Sequence, residues 1–151
     1  MKRKCCFRNH SKKNETMKKN IEVGCAIIEK RGKILISRRR PGDTLGGFWE
    51  FPGGKRDGDE TFEECLVREL REELAVEIRP RKFVRQVTHD YLGRIVNLHF
   101  YICDFVKGKP VLHECMDARW VRIEELPQYE FPPADADILT ELVERKGFYF
   151  S

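Results

Sequence analysis

The chain has 151 residues, of which 40% are hydrophobic and 36% charged, and it carries a formal net charge of +4. That is one domain's length with apolar content enough for a core, which excludes a wholly disordered chain. The charge is uneven: residues 1–20 hold eight Lys or Arg against one acid, Glu15, so taking +7 from +4 leaves −3 for residues 21–151 and argues against a nucleic-acid-binding domain.

Residues 1–19 read as a basic, disordered N-terminal tail, with Met17 an alternative start, and residues 20–151 as the folded domain. Six cysteines stand at positions 5, 6, 25, 65, 103 and 115 without a C-x-x-C pair. Cys25, Cys65 and Cys103 fall in apolar segments, as buried free thiols do in a reducing cytoplasm. No apolar run reaches the ~18 residues of a membrane span. No h-region follows the basic N-terminus, so a cytoplasmic protein without a membrane partner is expected.

Residues 21–29 (IEVGCAIIE) pattern as a largely buried strand, residues 30–33 as a turn, and residues 34–39 (ILISRR) as the returning strand of a hairpin. Arg38, Arg39 and Arg40 close that strand; they read either as a solvated strand end or as phosphate ligands, since guanidinium matches phosphate in a bidentate way. Residues 41–47 form a turn-rich loop able to border a base pocket. In the following WEFPGGK, Gly53 and Gly54 let the backbone approach a metal or phosphate, and Lys55 reads equally as a phosphate contact or a surface lysine.

A charged turn then runs into a helix. Thr61 and Glu64 form a T-x-x-E capping box, and Phe62, Leu66, Leu70 and Leu74 give an apolar stripe. At about 100° per residue, Glu69, Glu72 and Glu73 share one adjoining arc, with Glu73 almost on the stripe. Like charges so spaced repel, and a carboxylate at a core edge is costly without a positive partner. An oxygen-only ligand set suits Mg²⁺ or Mn²⁺, not zinc. A solvated glutamate-rich helix is the bland alternative, but the glycine loop, capping box and carboxylate arc coincide in one stretch.

Residues 82–89 (KFVRQVTH) and 94–105 (RIVNLHFYICDF) alternate like paired strands around a turn at 91–94. His89 and His99 lack a partner at ligand spacing and read as structural or pocket-lining. Gly108-Lys109-Pro110 breaks the run, Glu114 precedes a short strand over residues 118–122, and residues 123–126 read as a helical turn. Phe131-Pro132-Pro133-Ala134-Asp135 leads into an amphipathic helix with Ile138, Leu139, Leu142 and Val143 on one face, expected to end at Gly147. Strands and helices mix without strict βαβ alternation, which indicates a mostly antiparallel α+β sandwich.

The central stretch resembles the Nudix box, G-x5-E-x7-R-E-U-x-E-E-x-G-U, where U is a bulky aliphatic residue. Gly54, Glu60, Arg68, Glu69, Leu70, Glu72, Glu73 and Val76 match it, while Ala75 stands where the family has glycine. If the backbone there needs φ > 0, alanine adds about 1 kcal/mol of strain. The lead-in WEFPGGK resembles the MutT-like branch. The resemblance implies the Nudix fold, a mixed β-sheet sandwiched between helices, and a Mg²⁺-dependent (or Mn²⁺-dependent) nucleoside triphosphate pyrophosphohydrolase releasing monophosphate and pyrophosphate. It assigns metal ligation to the Gly53 carbonyl, Glu69, Glu72 and Glu73, and catalysis to these glutamates together with Glu114 as a base. It gives Arg68 the bracing of the carboxylates, with Gly54 and Glu60 supporting the site, and it makes Arg39 and Asp135 substrate-binding candidates beside Lys55, read from its own place after the glycine pair.

Two substrates fit. The oxidised-guanine enzymes usually carry FPPAN where this chain has FPPAD, and an ionised Asp135 only accepts hydrogen bonds. Nucleotide-pool sanitation of 8-oxo-dGTP is the first expectation, with CTP, dCTP or 5-methyl-dCTP the alternative. A non-catalytic nucleotide- or lesion-recognition domain is the reading from another class, and it has no need of the full R-E-x-x-E-E set. A monomer or dimer without a nucleic-acid partner is expected.

Overall fold

In the computed structural model, which describes residues 19–150, a seven-stranded mixed sheet separates two apolar cores. The basic tail, Cys5, Cys6 and Met17 lie outside the described residues. The strands are β1 (Asn20–Lys30), β2 (Lys33–Arg39), β3 (Trp49–Glu50), β4 (Gly53–Lys55), β5 (Glu77–Tyr91), β6 (Arg94–Lys107) and β7 (Cys115–Arg122). Helix α1 (Phe62–Leu74) sits between β4 and β5, and α2 (Ala136–Glu144) and α3 (Lys146–Tyr149) close the chain after two 3-10 turns, Ile123–Gln128 and Pro133–Asp135.

The sheet runs β3-β2-β1-β6-β5, with β4 also on β1 and β7 also on β2. β1 and β6 are parallel and all other pairs antiparallel. The run 21–29 is almost continuously apolar because β1 is covered on both faces. Its two-residue period sends Cys25 and Ile27 to one core and Ala26 and Ile28 to the other. Ile34 and Ile36 join the first core with Phe100, Ile102, Phe131 and the inward residues of α2, Ile138 and Leu142. Leu35 and Cys103 join the second, where Leu66, Leu70 and Leu74 of α1 are buried. Each such leucine contributes about 1.5–3 kcal/mol of burial, so α1 is held rigidly under the sheet. Cys25, Cys65 and Cys103 are free, buried thiols, as expected.

Three expectations change. β5 begins at Glu77, five residues ahead of position 82: it is an edge strand, where Pro80 is tolerated, and the register shifts between Pro80 and Lys82. β7 begins at Cys115 rather than 118. Gly147 does not end the last helix: α2 stops at Glu144 and Gly147 lies inside α3. Tyr149 is buried there, its hydroxyl donates to Glu141, and Lys146 pairs with Glu124, so tertiary contacts turn the chain back.

Candidate active site

The site forms where β4 meets α1. The Thr61 side chain accepts from Glu64 N–H at 3.0 Å and the Glu64 carboxylate accepts from Thr61 N–H at 2.8 Å, which completes the capping box. At the other end Ala75 has φ 57° and ψ 35°, the left-handed conformation anticipated for the glycine position. Gly53 and Gly54 are required by contact: a Cβ on Gly53 would stand 1.9 Å from the Gly24 carbonyl oxygen, and one on Gly54 2.3 Å from the Glu69 carboxylate. Only bare backbone lets Glu69 come down onto this loop. The carbonyls beside Gly53 are engaged, Pro52 by Ala26 N–H and Gly54 by the Cys65 thiol.

Arg68 braces this corner. Its guanidinium donates to Glu60 (2.6 and 3.1 Å), Glu69 (2.9 Å), Glu72 (3.1 Å) and the Lys55 carbonyl (3.1 Å). That partner, with the Asp57 N–H, holds the Glu60 carboxyl down at about 2, so Glu60 is a permanent anion spent on Arg68. Burial raises Glu69, against the pull of Arg68. Glu73 has no such counterion: burial, then the charge of Glu69 and its hydrogen bond and charge from Glu114, push it up to about 9.

The structure thus brings Glu69, Glu73 and Glu114 together, the last from the loop before β7. Glu72 is further out, its side chain 61% exposed and turned to Arg68. Among the described residues no group of three or more His, Cys, Asp or Glu side chains is placed so as to hold a metal ion. The donor set nevertheless suits a hard divalent cation: oxygens only, mutually repelling, beside a glycine cradle that a Cβ would fill.

A second cluster lies across the sheet end. Asp135 is buried at the 3-10 turn before α2, and burial with the charge of Glu50 raises its carboxyl to about 7. Burial also raises Glu50, opposed by Arg39. Arg39 bonds Glu50 at 3.1 Å and the Thr44 carbonyl at 2.6 Å, so it ties the 41–47 loop to this pocket. The charges of Asp135, Cys25 and Arg39 all reach the Tyr91 phenol, which brings the tip of β5 to the same place. Lys55 lies exposed at the end of β4. Glu50 and Tyr91 were not singled out from the sequence; the one available signal was an acid set between the buried Trp49 and Phe51. His89 lies tilted against Tyr91, ring centres 4.2 Å apart, and His99 meets Glu22 at 3.0 Å beneath Phe62.

The NUDIX domain family matches residues 23–141, and the chain belongs to that family as a hydrolase of its MutT-like branch. It is similar to the CTP pyrophosphohydrolase of Escherichia coli K12, 43% identical over 122 residues covering 80% of this chain and 90% of that protein. It is also similar to the 8-oxo-dGTP diphosphatase of Haemophilus influenzae, 33% identical over 127 residues covering 83% and 93%. Among solved structures, the E. coli ORF135 protein superposes with a TM-score of 0.76 at 39% identity, over 88% of this chain and 95% of that one. A MutT protein from Methanosarcina mazei gives 0.74 at 27%, over 87% and 97%.

Proposed function

We propose that this enzyme hydrolyses a nucleoside triphosphate to the monophosphate and pyrophosphate with Mg²⁺ as its ion. The observation that carries the reading is the convergence of Glu69, Glu73 and Glu114 at the Gly53–Gly54 loop. Glu69 and Glu73, with Glu72 and the Gly53 carbonyl, are the ligands in this reading. When bound there, the ion neutralises phosphate oxygens that otherwise repel an attacking water. Glu114 is the base that takes a proton from that water, a contribution of about 10²–10⁴-fold. Arg68 keeps Glu69 and Glu72 in place without touching substrate. Lys55, exposed at the end of β4, is the phosphate contact in this reading, and Arg39, bonded to Glu50, is a substrate contact at the base pocket. A cytoplasmic nucleotide pool is the corresponding location; among the described residues no helix is long and apolar enough to cross a membrane.

The base reads on the Glu50–Asp135 pair. Burial and the charge of Glu50 raise the Asp135 carboxyl to about 7, so Asp135 holds a proton near neutral pH beside the half-buried Glu50. One then donates and the other accepts, which complements the N3 acceptor and N4 amine of cytosine. That favours CTP, dCTP or 5-methyl-dCTP. The competing substrate, 8-oxo-dGTP, is supported by WEFPGGK and FPPA, and its N1 and N2 donors suit two acceptors. The test is kcat/KM across 8-oxo-dGTP, dGTP, CTP, dCTP and 5-methyl-dCTP, with Mg²⁺ and with chelator. Absence of chelator-sensitive pyrophosphate release from every triphosphate refutes the hydrolase reading.

A further inference from the structure

Arg39 and Arg40 are neighbours that act on opposite sides. Arg39 faces the base cluster, whereas Arg40 donates to the His113 carbonyl at 2.6 Å, one residue before Glu114. The reach is possible because the β2–β7 pairing slips at this point: Arg38 opposes Asp117 but Arg39 opposes Cys115, so Met116 is extra on β7. Such a bulge bends the strand and re-aims the side chains beside it. The loop that carries Glu114 is otherwise fastened at its far end, by the Val111 N–H on the Leu74 carbonyl at 2.9 Å and by Gly108 packed on Ala75, where a Cβ would stand 2.7 Å from the Ala75 oxygen. Both of those anchors hold the loop to the end of α1. Beside Glu114 the His113 N–H bonds only within the loop, to the Val111 carbonyl at 3.0 Å, so Arg40 supplies the tie from this segment to β2.

We propose that Arg40 is a positioning residue for Glu114, clamping the His113 carbonyl so that the Glu114 carboxylate meets Glu73. The inference rests on the reading of Glu114 as general base. A guanidinium bond to a carbonyl is a charge-assisted contact with fixed geometry, and losing it removes the tie between β2 and the residues that precede β7. Effective proton transfer needs the base within hydrogen-bond reach of the water, so a loosened loop lowers turnover and leaves substrate affinity alone.

The experiment is a double-mutant cycle with Arg40→Met and Glu114→Gln, measured as steady-state kcat and KM on the best triphosphate. Arg40 is exposed, so thermal melts should show the variants folded. Arg40→Met should lower kcat about tenfold at unchanged KM, a charged hydrogen bond's typical effect. It should cost nothing further in the Glu114→Gln background, and Arg40→Lys should recover part of the loss. A raised KM at unchanged kcat makes Arg40 a substrate contact and overturns the proposal, as do losses that multiply in the double variant. Full activity of Glu114→Gln alone refutes the general-base reading and this inference with it. A crippled Glu114→Gln beside an undiminished Arg40→Met refutes only the positioning role.

Discussion

Replacing Asp135 by Asn should stabilise the protein and change its base preference together. The Asp135 carboxyl is only 6% exposed and is held up at about 7 by burial and by Glu50, against roughly 3.9 in an unfolded chain. A raised carboxyl pKa means that the folded state binds the proton more tightly. Stability is therefore greatest below the unfolded value and declines as pH rises toward 7. A gap of about three units at 1.36 kcal/mol each sets the penalty of the ionised form at about 4 kcal/mol as an upper bound. Asn keeps the shape and carries no charge to desolvate. The variant should match the parent near pH 4 and exceed it at pH 8, by roughly 10 °C in Tm if the whole penalty is relieved. Urea unfolding of both proteins from pH 4 to 8 measures the difference directly and cancels every other titrating group. Parallel curves across that range would show that Asp135 does not titrate there. The amide both donates and accepts, so the same variant should move kcat/KM toward 8-oxo-dGTP. An unchanged substrate ranking removes Asp135 from the pocket.

Glu73→Gln should cost the most Mg²⁺-dependent turnover, Glu114→Gln a middling amount, and Glu69→Gln and Glu72→Gln less than Glu73→Gln, with the exposed Glu72 the mildest of the four; near-full activity of Glu73→Gln refutes the metal assignment. Arg68→Lys should lower kcat by roughly 10-fold or more through the loss of several charge-assisted bonds, because one ammonium cannot span Glu60, Glu69, Glu72 and the Lys55 carbonyl; a kcat equal to the parent's shows that the brace is dispensable. Ala75→Gly should raise unfolding free energy by up to about 1 kcal/mol in urea at unchanged kcat, since it relieves a left-handed alanine; a loss of stability means the strain is absorbed elsewhere. Thr61→Ala should lower it by about 0.5–2 kcal/mol through loss of the cap, read in the same assay.

The features legible in the sequence are local ones. The capping box, the stripe of α1 and the glycine pair depend on residues within a few turns of one another, and each stands where its spacing placed it. Arg68 and Glu60 are close in the chain as well, so a long guanidinium reaching back past the helix start is enough to pair them. Glu114 and Asp135 were reached through the family resemblance, because no local rule ties a loop glutamate to Glu73 or a turn aspartate to Glu50. Glu50, Tyr91 and the contact of Arg40 with His113 stayed hidden for the same reason. Glu50 occupies a two-residue strand, Tyr91 ends a strand whose start the sequence obscured with Pro80, and Arg40 depends on a bulge that only the β2–β7 pairing creates. The early end of α2 and the early start of β5 likewise reflect tertiary contacts that outweigh helix and strand propensity.

The arrangement of charge also separates a hydrolase from a recognition domain on the same fold. Arg68 meets Glu60, Glu69 and Glu72, so a domain that needed only structural support at this corner would be complete with those pairs. Glu73 and Glu114 add two more carboxyls, and Glu73 is pushed up to about 9 by burial and by meeting other acids rather than a cation. Such a group costs stability and offers no packing in return, which a binding module has no reason to retain. In the proposed reading a divalent ion held by Glu69 and Glu73 reverses the sign of that cost, and the ion in turn meets the phosphate oxygens. The thermal shift on adding Mg²⁺ should therefore be positive for the parent and largely lost in Glu73→Gln. An equal shift in both would place the ion away from α1 and leave these crowded acids without a chemical purpose.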